Sequence, residues 1–270
     1  MNASLFGLVT TGPAYDWFTF LWWFIVFLII FLLVRYLPKY IISEERRIRT
    51  VKIFATIGLL THLSLYFVSY FQTGGNNLPN AVDSMFAIAP CNIMTWLMFL
   101  MFMFQKSKFR NILFTIGAYG GLMFGLITMF YPDFYPGFAS CDFSYGFWKS
   151  IIFHSIMVMT GSLLFAFKIV KPKLLDSFTM LFALLLGFYL YGYPLTLLAE
   201  ANNINQDFLY VRTFPIKDIF SVQFAMVLVA LVTAIIAIVY ERFALERENR
   251  SLYKISAFLQ NKWQVVFKKN

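Results

Sequence analysis

The sequence predicts an all-α polytopic membrane protein with seven transmembrane helices, its N-terminus outside and its C-terminus in the cytoplasm. Three observations carry this. The 270-residue chain is 60% hydrophobic and only 13% charged, with a mean hydropathy of +0.70, well beyond an average soluble domain. Its apolar stretches recur at about the 20-residue length that a helix needs to cross a bilayer. Its basic residues gather in alternate connections, the pattern of a chain threaded back and forth through a membrane.

The spans follow in order. The first covers about 17–34 and is closed by Arg35; no basic segment precedes it, so it reads as a permanent helix and not as a cleaved signal. Lys39, Arg46, Arg47 and Arg49 then lead into a second span over about 52–72. The third covers about 84–104, and Lys106, Lys108 and Arg110 separate it from the fourth over about 111–131. Gly117, Gly121 and Gly125 lie at four-residue spacing in that fourth span, a stripe that lets a neighbouring helix approach closely. The fifth span, over about 149–168, leads to Lys168, Lys171 and Lys173. The sixth, over about 177–199, carries Gly192 and Pro194 among Tyr189, Tyr191 and Tyr193, which predicts a bend. The seventh covers about 219–240.

The other connections, 1–16, 73–83 and 132–148, contain no Lys or Arg, and only Arg212 and Lys217 break the pattern. The positive-inside rule therefore sets the orientation. Residues 1–240 form the membrane domain, with no repeat and no low-complexity segment. Residues 241–270 form a basic cytoplasmic tail, where Leu252, Ile255, Leu259, Trp263 and Val266 at helical spacing predict an amphipathic surface helix. The net charge of +9 calls for anionic lipid headgroups at the cytoplasmic face and for no nucleic acid.

The candidate site starts from His154, one of two histidines. An imidazole inside an apolar run is costly and marks a protein interior or a wet cavity. Cys91, in the segment Pro90-Cys91-Asn92, lies roughly 10 Å inside the outer end of span three, and His154 roughly 8 Å inside that of span five. Equal depth permits one site. His62, roughly 15 Å deep, is a more distant partner. A thiol beside an imidazole makes a nucleophile, because the thiolate is the reactive form and the ring takes the proton. Ser84, Ile88, Cys91 and Thr95 share one helix stripe, Ser150 and His154 another, and Asn92 supplies an oxyanion donor. Against this, buried free cysteine is a common apolar filler, and a buried histidine is often held in a helix interface. Cys141, in an outer loop, reads as unpaired, since Cys91 is too deep for an easy disulfide. Asp83, Asp142 and Asp207 face the same side and are either solvated or orient the site; Tyr210 and Arg212 could touch lipid phosphate. Two histidines and two cysteines show no metal-ligand spacing, and no cofactor is expected.

The segments Pro90-Cys91-Asn92-Ile93-Met94-Thr95, Phe153-His154-Ser155 and Gln206-Asp207-Phe208-Leu209-Tyr210 resemble the YwaF-like bacterial integral membrane family, which is related to the cysteine acyltransferase transmembrane protein 164. The similarity runs from the second span to the seventh. It implies a plasma-membrane acyltransferase that moves fatty acyl chains between phospholipids through an acyl-cysteine, with Cys91 as nucleophile and His154 as its partner. Asn92 stands where the family motif usually has histidine, and Asp207 where it usually has asparagine. The architecture also resembles the androgen-induced membrane hydrolases, which use threonine and histidine; Thr95 is the nearest hydroxyl on the Cys91 stripe. The residues themselves leave a second class open, a small-solute transporter or binding protein lined by the same polar groups. No acidic residue falls clearly inside a span, which speaks against ion coupling, and the oligomeric state is not indicated.

Overall fold

The computed structural model describes residues 2–3, 9–10, 17–72, 89–104, 107–130, 145–203, 209 and 222–267. A two-residue antiparallel ladder pairs Asn2–Ala3 with Val9–Thr10, and among the described residues every other regular element is helical. The helices are α1 (Trp17–Tyr40), α2 (Glu44–Gln72), α3 (Pro90–Leu100), α4 (Lys108–Phe130), α5 (Tyr145–Ala166), α6 (Leu175–Leu186), α7 (Tyr193–Ala201), α8 (Val222–Ala244) and α9 (Ser251–Phe267).

Among the described residues, five segments are long and apolar enough to cross a membrane: Phe20–Tyr40, Lys108–Phe130, Trp148–Ala166, Leu175–Ala201 and Phe224–Ala244. The second and third expected spans are not among them. α2 has 29 residues, ample length at about 1.5 Å each; it opens on the charged run from Glu44 to Lys52, and part of its apolar second half lies outside the residues whose side chains are described. α3 has only 11 residues, too few to cross a bilayer alone. It begins at Pro90 because Ala89 is extended and proline, lacking an N–H, suits the first helical position. Cys91 therefore stands in a first helical turn and not seven residues along a helix. Ser84 and Ile88 of its expected stripe lie outside the described residues.

Packing is organised around α4 and α5, with α2 and α3 closing a four-helix group. Glycine makes the α4–α5 contact close. A Cβ on Gly161 would sit 2.7 Å from the Ala118 carbonyl oxygen and 2.8 Å from the Leu122 nitrogen, distances only hydrogen allows. The Met98 side chain and the Met157 backbone crowd Gly121 in the same way. α1 is docked by two indoles. Trp22 Nε1 donates to Ser155 Oγ at 3.1 Å, and Trp23 Nε1 to the Met129 carbonyl at 2.8 Å. The rest of α1 is lipid-facing in character, with Phe24 and Phe31 exposed.

The expected bend in the sixth span takes the form of a π-helical turn, Gly187–Gly192, directly before Pro194. A proline removes one ladder hydrogen bond and crowds the preceding turn, and a π-turn absorbs that mismatch without breaking the helix. Tyr119 Oη of α4 donates to Asp176 Oδ2 of α6 at 3.2 Å, fastening this pair to the core. α6 also packs along α8.

Candidate functional site

α3 and α5 stand across from one another, each packed against α2 and α4. From α5 come Lys149, Ser150, Phe153 and His154; from α2, His62; from α3, Cys91, Asn92 and Thr95. All of the α5 residues, His62 and Thr95 are buried, and Cys91 is half-buried.

His154 is held by its own helix. Its Nδ1 lies 2.8 Å from the Ser150 carbonyl oxygen and 3.2 Å from Ser150 Oγ. A carbonyl only accepts, so Nδ1 carries the hydrogen and Nε2 presents a lone pair. That Nε2 is buried and has no hydrogen-bond partner. Buried polar atoms are nearly always satisfied, so such an atom calls for an explanation.

Cys91 lies in the first turn of α3, where unpaired backbone N–H groups and the helix dipole favour negative charge. Its thiol points to Asn92 Oδ1 at 3.7 Å, while Asn92 Nδ2 donates to no described residue. Thr95 Oγ1 donates to the Cys91 carbonyl at 3.1 Å. That commits the only proton of the alternative hydroxyl nucleophile to its own helix.

Phe153 is the hub between these groups. The His62 ring stacks on it at 5.4 Å and 30°, the His154 ring meets it edge-on at 4.8 Å, and Lys149 Nζ lies 4.8 Å from its centroid. Cys91 and His154 make no direct hydrogen bond to one another; the thiol is turned to Asn92 and the imidazole to Ser150.

In the sequence Lys149 marks only the start of a span. Its ammonium lies 4.8 Å from the Phe153 ring centroid, an i, i+4 contact made because the Phe153 side chain leans back toward the helix N-terminus. A sequence signal existed: residues 132–148 carry no Lys or Arg, so a lysine at this end of the bundle breaks the charge pattern.

Beside α3 lies an apolar cavity of about 110 Å³, walled by Pro90, Met94, Ala183, Phe188, Leu209 and Met226 among other apolar residues. Span six contributes here and not to the polar cluster. Asp207, Tyr210 and Arg212 lie outside the described residues, as do Asp83, Cys141 and Asp142. Among the described residues no group of three His, Cys, Asp or Glu could hold a metal ion.

A family model described as the TMEM164 family matches residues 9–251. The chain belongs to that family. The match takes in every residue of the polar cluster and of the apolar cavity, and it identifies an integral membrane protein of the TMEM164 type. No curated protein and no solved structure matches the chain.

Proposed function

We propose that this protein is a membrane acyltransferase that moves fatty acyl chains between phospholipids through a thioester on Cys91. The observation that carries the reading is the orphaned lone pair of His154 Nε2, buried in the same cluster as a cysteine at a helix N-terminus. The sulfur attacks an ester carbonyl while its proton passes to Nε2. Asn92 Nδ2 donates to the oxyanion, and the Lys149 charge offsets the negative charge on sulfur and oxygen. The ester C–O bond breaks, and the leaving lysophospholipid oxygen takes the proton from Nε2. An acceptor hydroxyl then gives its proton to Nε2 and attacks the thioester; the C–S bond breaks and the sulfur is reprotonated. Substrate brings Sγ and Nε2 together, since catalytic hydrogen bonds are often long before substrate binds.

The acyl chain beyond its first carbons enters the apolar cavity beside Met94, reached laterally from the bilayer. Ser150 fixes the imidazole, His62 supports it through Phe153, and Thr95 braces the α3 turn. Asp207, Tyr210 and Arg212 contact the headgroup.

The wider setting belongs to the same reading. α2 and the α3 region complete a seven-span domain over 1–240, with the N-terminus outside; α9 lies on the cytoplasmic surface among anionic headgroups. The home is a bacterial plasma membrane, in keeping with the resemblance to the YwaF-like proteins. The test is transfer of a labelled acyl chain from a phospholipid to a lysophospholipid by purified protein. Transfer abolished in Cys91→Ala supports the reading; transfer unchanged in that variant removes it.

A further inference from the structure

At the opposite end of the bundle from Lys149, the α1–α2 connection, the start of α4 and the α5–α6 connection enclose a second kind of cavity. It measures about 430 Å³ and is walled by Arg47, Arg110, Asn111, Phe167, Lys168 and Lys171 among others. A smaller cavity of about 230 Å³ adjoins it and shares Asn111, Lys168 and Lys171. Four basic residues thus meet one described carboxylate, Glu44, on the wall of the larger cavity.

The basic residues differ in how far they are already engaged. Arg47 is already engaged: its guanidinium donates to the carbonyls of Ile41, Phe167 and Pro38 at 2.8, 3.3 and 3.4 Å. It builds the cavity wall. Arg110 is the reverse. Its guanidinium carbon lies 5.3 Å from the Phe114 ring centroid, its Nε is buried, and that Nε has no hydrogen-bond partner. A planar fork beside a ring with an unused buried donor is suited to a bidentate oxyanion. Lys168 is held in the left-handed region at φ 58°, a costly conformation for a residue with a Cβ. Lys168 and Lys171, both exposed, are thereby brought to the same wall as Arg110.

We propose that this cavity is a binding site for the phosphate of an anionic lipid headgroup, with Arg110 as the bidentate seat and Lys168 and Lys171 as flanking charges. Lipid is favoured over free phosphate by what borders the site. Phe109 and Ile112, either side of Arg110 and Asn111, are exposed, and Ile42 on the rim is 78% exposed. Acyl chains would run along that apolar border while the headgroup occupies the basic chamber. Basic pockets between helices commonly hold such headgroups. The bound lipid would pin α2, α4 and α5 together, independently of any chemistry at Cys91.

The test is native mass spectrometry of the protein in a neutral detergent, titrated with dioctanoyl phosphatidylglycerol, dioctanoyl phosphatidylcholine or inorganic phosphate. Phosphatidylglycerol is expected to bind most tightly, with inorganic phosphate failing to displace it at equal concentration. Arg110→Gln and Lys171→Gln should each weaken it about fivefold, the value of one basic residue near an anionic surface. Arg35→Gln, an exposed charge on α1 that lines neither cavity, should not. If Arg110→Gln does not fold, the exposed Lys171 carries the test alone. Equal losses in Arg35→Gln and Lys171→Gln, or displacement of the lipid by inorganic phosphate, would overturn the proposal.

Discussion

Lys149 Nζ lies 4.8 Å from the centre of the Phe153 ring, and the residue is buried. The ring is shared with His62 and His154. Lysine at such depth is expensive unless a negative charge meets it. The Cys91 thiol is the group in the cluster that can become negative. That makes Lys149 the most informative residue to alter after Cys91 itself.

Removing its charge should slow the thiol. In Lys149→Gln, alkylation of Cys91 by iodoacetamide is expected to fall about tenfold at neutral pH, with Lys149→Arg largely retaining the rate. Equal rates in all three proteins would show that Lys149 serves packing alone.

The imidazole gives a sharper contrast. His154→Ala is expected to lower acyl transfer by about 10²–10⁴-fold, the usual worth of a general base. Ser150→Ala should cost less than about tenfold, because the main-chain carbonyl of Ser150, at 2.8 Å, still holds Nδ1. Losses of the same size in both variants would mean that the hydroxyl, not the backbone, orients the ring.

Chain-length selection reads the apolar cavity. Ala183 lies on its wall opposite α3, and Ala183→Phe fills part of it. Transfer of palmitoyl relative to octanoyl chains should drop at least about tenfold, while total Cys91 alkylation stays unchanged. An unaltered ratio would place the acyl chain elsewhere.

Close helix approach has its own test. Gly161→Ala forces a Cβ to within 2.7 Å of the Ala118 carbonyl and should cost about 1–3 kcal/mol, seen as a lower thermal midpoint in detergent. A midpoint equal to wild type would mean that α4 and α5 can separate freely.

Much of the architecture was legible because it rests on composition. The apolar runs gave α1, α4, α5, α6 through α7, and α8 within a few residues, and the glycine stripe named the face that α5 packs against. Pro194 announced a bend, although its π-helical form depends on backbone accommodation that periodicity does not encode. Hydropathy runs smoothly through 84–104 and does not mark Pro90, where the helix that carries Cys91 begins; residues 84–88 lie outside the described residues. At the site, His154 and Ser150 were readable as an i, i+4 pair. The gathering of Lys149, His62 and His154 around the Phe153 ring was not, since it depends on how side chains of two helices pack.

The most direct measurement is intact-mass analysis of purified protein after incubation with a phospholipid bearing an alkyne-tagged acyl chain. The account predicts a single acyl adduct, released by hydroxylamine, absent from Cys91→Ala and slow to form in His154→Ala. An adduct that persists in Cys91→Ala, or folded wild-type protein that forms none with any of several donors, would contradict it and shift the weight to a solute-binding or transport role for the same polar cluster.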